Sequence, residues 1–260
     1  MEHMSENIVR KPEFLLPKTE SEPKVWGAWV TIGIGLAVGV ISFLVIPFIL
    51  VLVLSLLSSI LSPIINTKAF LDNGLMPLAS IATGVYGVGY IYFFVRLNGN
   101  YKIADYIGLR NFNWRMVLQA FVVFIIAVFL NSVFAMLWFY FLGFPESESN
   151  TGLSGWLPLL WIAVAVVAPI FEEVLFRGFI FVGLQRSRIG IVGTIIFTSL
   201  IWAMLHPYDL FGILSIVLLG IVFGVARYLT RSLWCTILVH IMWNVWALVS
   251  TMLDFGMMKP

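Results

Sequence analysis

Seven apolar stretches, at roughly 26–61, 74–95, 116–142, 156–183, 189–206, 210–227 and 233–253, run through the chain with almost no charge inside them. A helix crosses the hydrocarbon core of a bilayer with about 20 residues, and runs of this length are too long for strands. The pattern predicts an all-α, polytopic membrane helix bundle of about seven transmembrane helices. Composition excludes a soluble domain: 61% of residues are hydrophobic and only 11% charged, where a soluble domain carries about 25% charged. The first stretch is longer than a simple span. No polar turn interrupts "VISFLVIPFILVLVLSLL", so it reads as one long helix, with eight helices the alternative if Pro47 divides it.

Basic residues orient the bundle. Arg10, Lys11, Lys18 and Lys24, then Arg96, Lys102, Arg110 and Arg115, then Arg186 and Arg188, then Arg227 and Arg231 are assigned to alternate loops, and so to one side of the bundle, against only Lys68 and Lys259 on the other. An integral, multi-pass protein of a prokaryotic cell membrane is expected, and the positive-inside rule predicts a cytoplasmic N terminus and an outside C terminus. Residues 1–25 are polar and mixed in charge and read as a disordered cytoplasmic tail. Residues 26–142 read as N-terminal transmembrane helices and 143–253 as the core that carries the chemistry. No cleavable signal is expected, because the first apolar run is too long. The net charge of +2 suggests contact with anionic headgroups of the lipid bilayer and not with nucleic acid. The single cysteine, Cys235, excludes an intrachain disulfide and reads as a small buried hydrophobe.

Against that background, "APIFEEVLFRGF" at 168–179 stands out, since it sets Glu172, Glu173 and Arg177 inside an apolar span. Each charged side chain at such a depth costs about 2.5 to 3.5 kcal/mol on insertion scales, so a use is expected. Glu173 and Arg177 are four apart and share a helix face, which allows a charge-assisted pair; Glu172 is turned about 100° away. Pro169 removes a backbone donor beside them and can bend the helix. His206 and His240 lie on two other apolar stretches, and Asn244 follows His240 by one turn. A carboxylate with two imidazoles can hold a divalent metal, or orient and deprotonate a water, and an amide can stabilise an oxyanion. The set fits hydrolysis. No G-x-S-x-G or H-E-x-x-H motif is present.

Glu-Glu-x-x-x-Arg (Glu172, Glu173, Arg177), an aromatic-x-x-x-His (Trp202, His206) and His-x-x-x-Asn (His240, Asn244) resemble, in order and spacing, the CPBP family of intramembrane proteases, also called the Abi or CAAX-processing family. The likeness covers roughly residues 156–253. It implies a membrane-embedded endopeptidase in which Glu172 activates water assisted by His206, while His240 and Asn244 complete the site and form an oxyanion pocket. Glu173 and Arg177 match the remaining motif positions. The family is classed both as metallo- and as glutamic peptidase. In the first case Glu172, His206 and His240 would hold one divalent metal such as zinc; in the second Glu172 is the general base. The implied partner is a peptide or protein substrate, with a prenylated C-terminal Cys-a-a-X sequence one option and other membrane-associated precursors the rest. Trp202 stands where the family usually has phenylalanine, a larger ring that narrows the cavity or an N–H that holds a polar partner.

Two other readings compete. Buried carboxylates and histidines also build proton relays in transporters, although no paired repeats are visible here. The same family fold also serves as a non-catalytic membrane scaffold or immunity protein when motif residues are missing, and here they are present.

Overall fold

A computed structural model describes residues 25–61, 74–99, 102–109, 112–143 and 157–257. The tail at 1–24 lies outside them. Among the described residues all regular structure is helical: α1 (Ala28–Val40), α2 (Ile46–Leu61), α3 (Leu75–Leu97), α4 (Ile103–Ile107), α5 (Trp114–Leu142), α6 (Leu157–Trp161), α7 (Ala168–Glu173), α8 (Phe181–Leu184), α9 (Gly190–Met204), α10 (Leu210–Thr230) and α11 (Leu233–Met257). π-helical stretches at Ile41–Val45, Ile162–Val167 and Val174–Ile180 join α1 to α2, α6 to α7 and α7 to α8, so each series is one continuous rod. Six described helices are long and apolar enough to cross a membrane: Ala28–Leu57, Pro77–Leu97, Trp114–Leu142, Pro158–Leu184, Leu210–Thr230 and Leu233–Leu253. The expected fifth span is the 15-residue α9. The protein is a polytopic helical bundle.

Two of the wide turns have the same cause. A proline inside a helix has no N–H for the carbonyl four residues back and its ring crowds that carbonyl, which a wider turn relieves. Before Pro47, Ile46 N–H reaches back five residues to Ile41 O, leaving Ser42 O with only the proline nitrogen in register. Before Pro169, Ala168 N–H likewise reaches Ala163 O and leaves Val164 O facing a proline. A buried carbonyl without a donor is costly, and in both places a side chain from another helix supplies one. Thr83 Oγ1 donates to Ser42 O at 2.8 Å, and Asn244 Nδ2 donates to Val164 O at 2.8 Å. Pro47 therefore widens one helix and does not divide it, and Pro169 is absorbed the same way.

The third wide turn carries a different clasp. Phe181 N–H bonds Gly178 O and Phe176 O, passing over Arg177 O. Arg227 Nε donates to that carbonyl at 3.0 Å, while its Nη2 donates to Ile107 O at 2.9 Å. Arg227 has no exposed surface and lies within α10, which corrects its expected place in a charged loop. A buried guanidinium is tolerable here because its Nε and Nη2 both donate to backbone oxygens. It ties α10 to the charged rod and to α4, where Tyr106 stacks on Phe179 with ring centroids 6.0 Å apart. Burial pushes the Tyr106 hydroxyl up to about 12, so it stays neutral and accepts from Trp26 N–H at 3.4 Å.

The charged rod is packed from both sides. Its stretch from Val174 to Leu184 is buried throughout, among α1, α3, α9 and α11. Close approach depends on small residues: at Gly87 of α3 a methyl group would overlap the Phe171 ring, next to Glu172, whereas at Gly89 it would meet nothing. Gly87→Ala is expected to cost about 1 to 3 kcal/mol by overpacking. Gly89→Ala should be neutral or stabilising by up to about 1 kcal/mol, because alanine favours the helix. Thermal unfolding of both variants in detergent measures this opposite sign.

Candidate active site

Glu173 and Arg177 form a buried ion pair, Oε1 to Nη1 at 2.9 Å, and neither side chain has exposed surface. Arg177 Nη2 also donates to Gly220 O of α10 at 3.2 Å. The guanidinium lies 4.5 Å from the centroid of the Trp202 ring and 5.6 Å from that of Phe223. Pairing, two hydrogen bonds and two aromatic faces together offset the cost of burying the charge.

His240 takes the other side of the same carboxylate oxygen, its Nδ1 at 3.0 Å from Glu173 Oε1. An ionised carboxylate only accepts, so Nδ1 carries the proton and Nε2 is turned away from Glu173. That nitrogen faces Glu172 Oε2 at 3.9 Å. Glu172 is the accessible one of the two glutamates, with 13% of its side chain exposed against none for Glu173. Its Oε2 also accepts from Trp202 Nε1 at 2.5 Å. The turn of about 100° between the two glutamates thus divides them: Glu173 faces the ion pair, and Glu172 is the more exposed.

His206 sits one turn after Trp202, in the link that follows α9. Its Nδ1 is 2.9 Å from Trp202 O, and since a carbonyl only accepts, Nδ1 is the protonated nitrogen and Nε2 is left as an acceptor. Its ring packs edge-on to Trp202 at 5.4 Å and stacks on Tyr208 at 5.9 Å. Tyr208 and Asp209 are turn residues, and Asp209 Oδ1 caps α10 by accepting from Gly212 N–H at 2.8 Å. The structure thus brings Glu172, Glu173, Arg177 and His240 into direct contact and sets His206 beside them through Trp202. Asn244 is on the His240 helix, but one amide hydrogen is committed to Val164 O.

A zinc ion needs three or four donors about 2.0 to 2.2 Å from one point. Among the described residues no three His, Cys, Asp or Glu side chains are grouped that way. Glu172 Oε2 already accepts the indole N–H. Glu172, His206 and His240 as placed do not fit a metal.

Of the two options the sequence left for Trp202, the structure shows the N–H holding a polar partner. Sequence reasoning missed Arg227, which was counted with the loops. A signal existed for it, since Arg227 follows Gly220 by seven residues, two helical turns along the same face.

Residues 154–246 match the family model of type II CAAX prenyl endopeptidase Rce1-like proteins. The putative membrane peptidase YdiL of Bacillus subtilis (strain 168) is 28% identical over 138 residues, which are 51% of this chain and 55% of that protein. The chain spans about half the length of this curated relative. No solved structure matches. The matched segment contains every charged and aromatic side chain of the cluster around Glu172, and over that segment the chain is similar to the type II CAAX prenyl endopeptidase Rce1-like family.

Proposed function

We propose that the protein is an intramembrane endopeptidase that hydrolyses a peptide bond in or beside the bilayer with a water activated by Glu172 and His240, its substrate class being CAAX-type or another membrane-associated precursor. One observation carries this reading: Glu172 Oε2 and His240 Nε2 face each other at 3.9 Å. That is the span one water bridges with two hydrogen bonds of about 2.8 Å meeting at about 90°. A water held there donates both hydrogens to the protein and presents a lone pair to a substrate carbonyl.

In the reaction, Glu172 takes a proton from the water as the oxygen attacks the carbonyl carbon, and the carbonyl becomes an oxyanion. The proton then passes to the leaving amine as the C–N bond breaks. His240 Nε2 takes the second proton of that water as the product acid ionises, and Glu173, which holds Nδ1–H, favours the imidazolium so formed as Asp does in a hydrolase triad. From the resemblance we assign His206 as assistant and Asn244 to the oxyanion pocket. The second Nδ2 hydrogen of Asn244 remains for that use. No step is routed through a metal. The catalytic unit is the segment 143–253, and we orient it with the N terminus of the chain in the cytoplasm, from the basic residues.

The test is cleavage of a fluorogenic prenylated CAAX peptide and a panel of hydrophobic peptides by detergent-purified protein, beside Glu172→Ala, with and without a chelator. Cleavage by the wild type, lost in the variant and indifferent to chelator, is expected. Undiminished cleavage by Glu172→Ala would overturn the reading, and chelator sensitivity would replace its metal-free step.

A further inference from the structure

Trp202 touches four ionisable side chains of the site. Its indole N–H donates to Glu172 Oε2 at 2.5 Å, its face lies against the Arg177 guanidinium, and its edges meet His206 and His240 with centroids 5.4 and 5.2 Å away. The ring is buried, with Phe223 against it at 5.9 Å. A buried indole N–H requires an acceptor, and here the acceptor is the proposed base itself. Phenylalanine at 202 would retain ring contacts and lose only the donor.

The terminal torsion of a glutamate is broad and roughly two-fold, so backbone and packing alone do not decide which oxygen faces a substrate. Glu172 also lacks the ion pair that holds Glu173. We infer that Trp202 is a positioning residue for Glu172: its N–H pins one carboxylate oxygen opposite His240 Nε2 and so sets the geometry in which a water bridges the two. Its carbonyl does the same for His206, whose Nδ1–H it accepts. One residue thereby orients both side chains through two different atoms. The consequence for the reaction rests on the peptidase reading, whereas the contact does not.

The experiment therefore has two arms. In the first, the full chain in detergent carries nitrogen-15 at the indoles of its 10 tryptophans. Trp202→Phe or Trp202→Tyr identifies the Trp202 signal by its loss. That signal is expected to move upfield in Glu172→Ala by more than any other indole signal; if it stays in place, the inference is overturned. In the second arm, Trp202→Phe is expected to lower kcat about tenfold with KM changed less than about twofold, the pattern of a lost bond to a charged group at the reacting centre. Rescue to within about twofold of wild-type kcat is not expected from tyrosine, whose hydroxyl lies elsewhere on the ring. An unchanged kcat, or an effect on KM alone, overturns the positioning role. Should the wild type cleave none of the peptides, the peptidase reading fails and the indole arm alone decides the inference.

Discussion

His240→Ala is expected to lower kcat by about a thousandfold or more, with KM changed much less. Its Nε2 faces the base at 3.9 Å and its Nδ1–H is held by a buried carboxylate, so alanine removes a group that both holds the water and balances charge. Acid–base groups contribute about 10² to 10⁴ in rate, and one oxyanion donor about 10² to 10³. Those contributions overlap in a single side chain and do not multiply. Glu173→Gln makes the complementary case: an amide oxygen can still accept from Nδ1, but the charge that favours the imidazolium is gone. A smaller loss, of about ten- to a hundredfold, is expected there. Steady-state kinetics on any peptide the wild type cleaves measures both. Equal losses in kcat from the two variants would remove the distinction between His240 as reacting group and Glu173 as its support.

Arg177→Met should produce the largest loss of stability of any single change in the site. Methionine leaves the Glu173 carboxylate with no exposed surface and no cation beyond His240. Breaking a buried pair by removing one partner costs about 3 to 5 kcal/mol, because the other charge is stranded. The Gly220 carbonyl loses its donor as well. Glu173→Gln added to Arg177→Met takes away the stranded charge, and the double variant is expected to be more stable than Arg177→Met alone. Thermal midpoints in detergent decide between this and simple additivity. A double variant less stable than the single one by the full cost of Glu173→Gln would mean that the two side chains act independently.

The sequence made the bundle legible through the length of its apolar runs, and the Glu173–Arg177 contact through a four-residue spacing. Helix ends were less legible, because an apolar run stops at the first charge while the helix continues as long as its backbone bonds do. Arg227 shows the difference: the run ends there, yet α10 continues to Thr230 and the guanidinium is buried against two carbonyls. The partner of Asn244 was hidden for a similar reason. Its spacing from His240 is local, but the orphaned carbonyl it serves lies 80 residues earlier and arises from a proline one turn further on. Pro47 and Pro169 were visible as breakers, and what they do depends on whether a neighbouring helix can supply a donor. The contact between Trp202 and Glu172 needed the packing of α9 against the charged rod, which no period in either segment encodes.

The shortness of α9 bears on how water arrives. Fifteen residues of helix span about 22 Å, whereas the hydrocarbon core is about 30 Å thick. The neighbouring rods are long enough to meet a bilayer of full thickness, so lipid beside α9 would thin or dip if its level followed the ends of that helix. His206 lies immediately beyond the end of that helix, with Trp202 one turn inside. A dip at this end draws the headgroup region toward the two residues that flank Glu172. A reaction that consumes one water per turn inside a lipid phase would then be fed from the rim of a local depression in the membrane, with no long aqueous channel through the bundle.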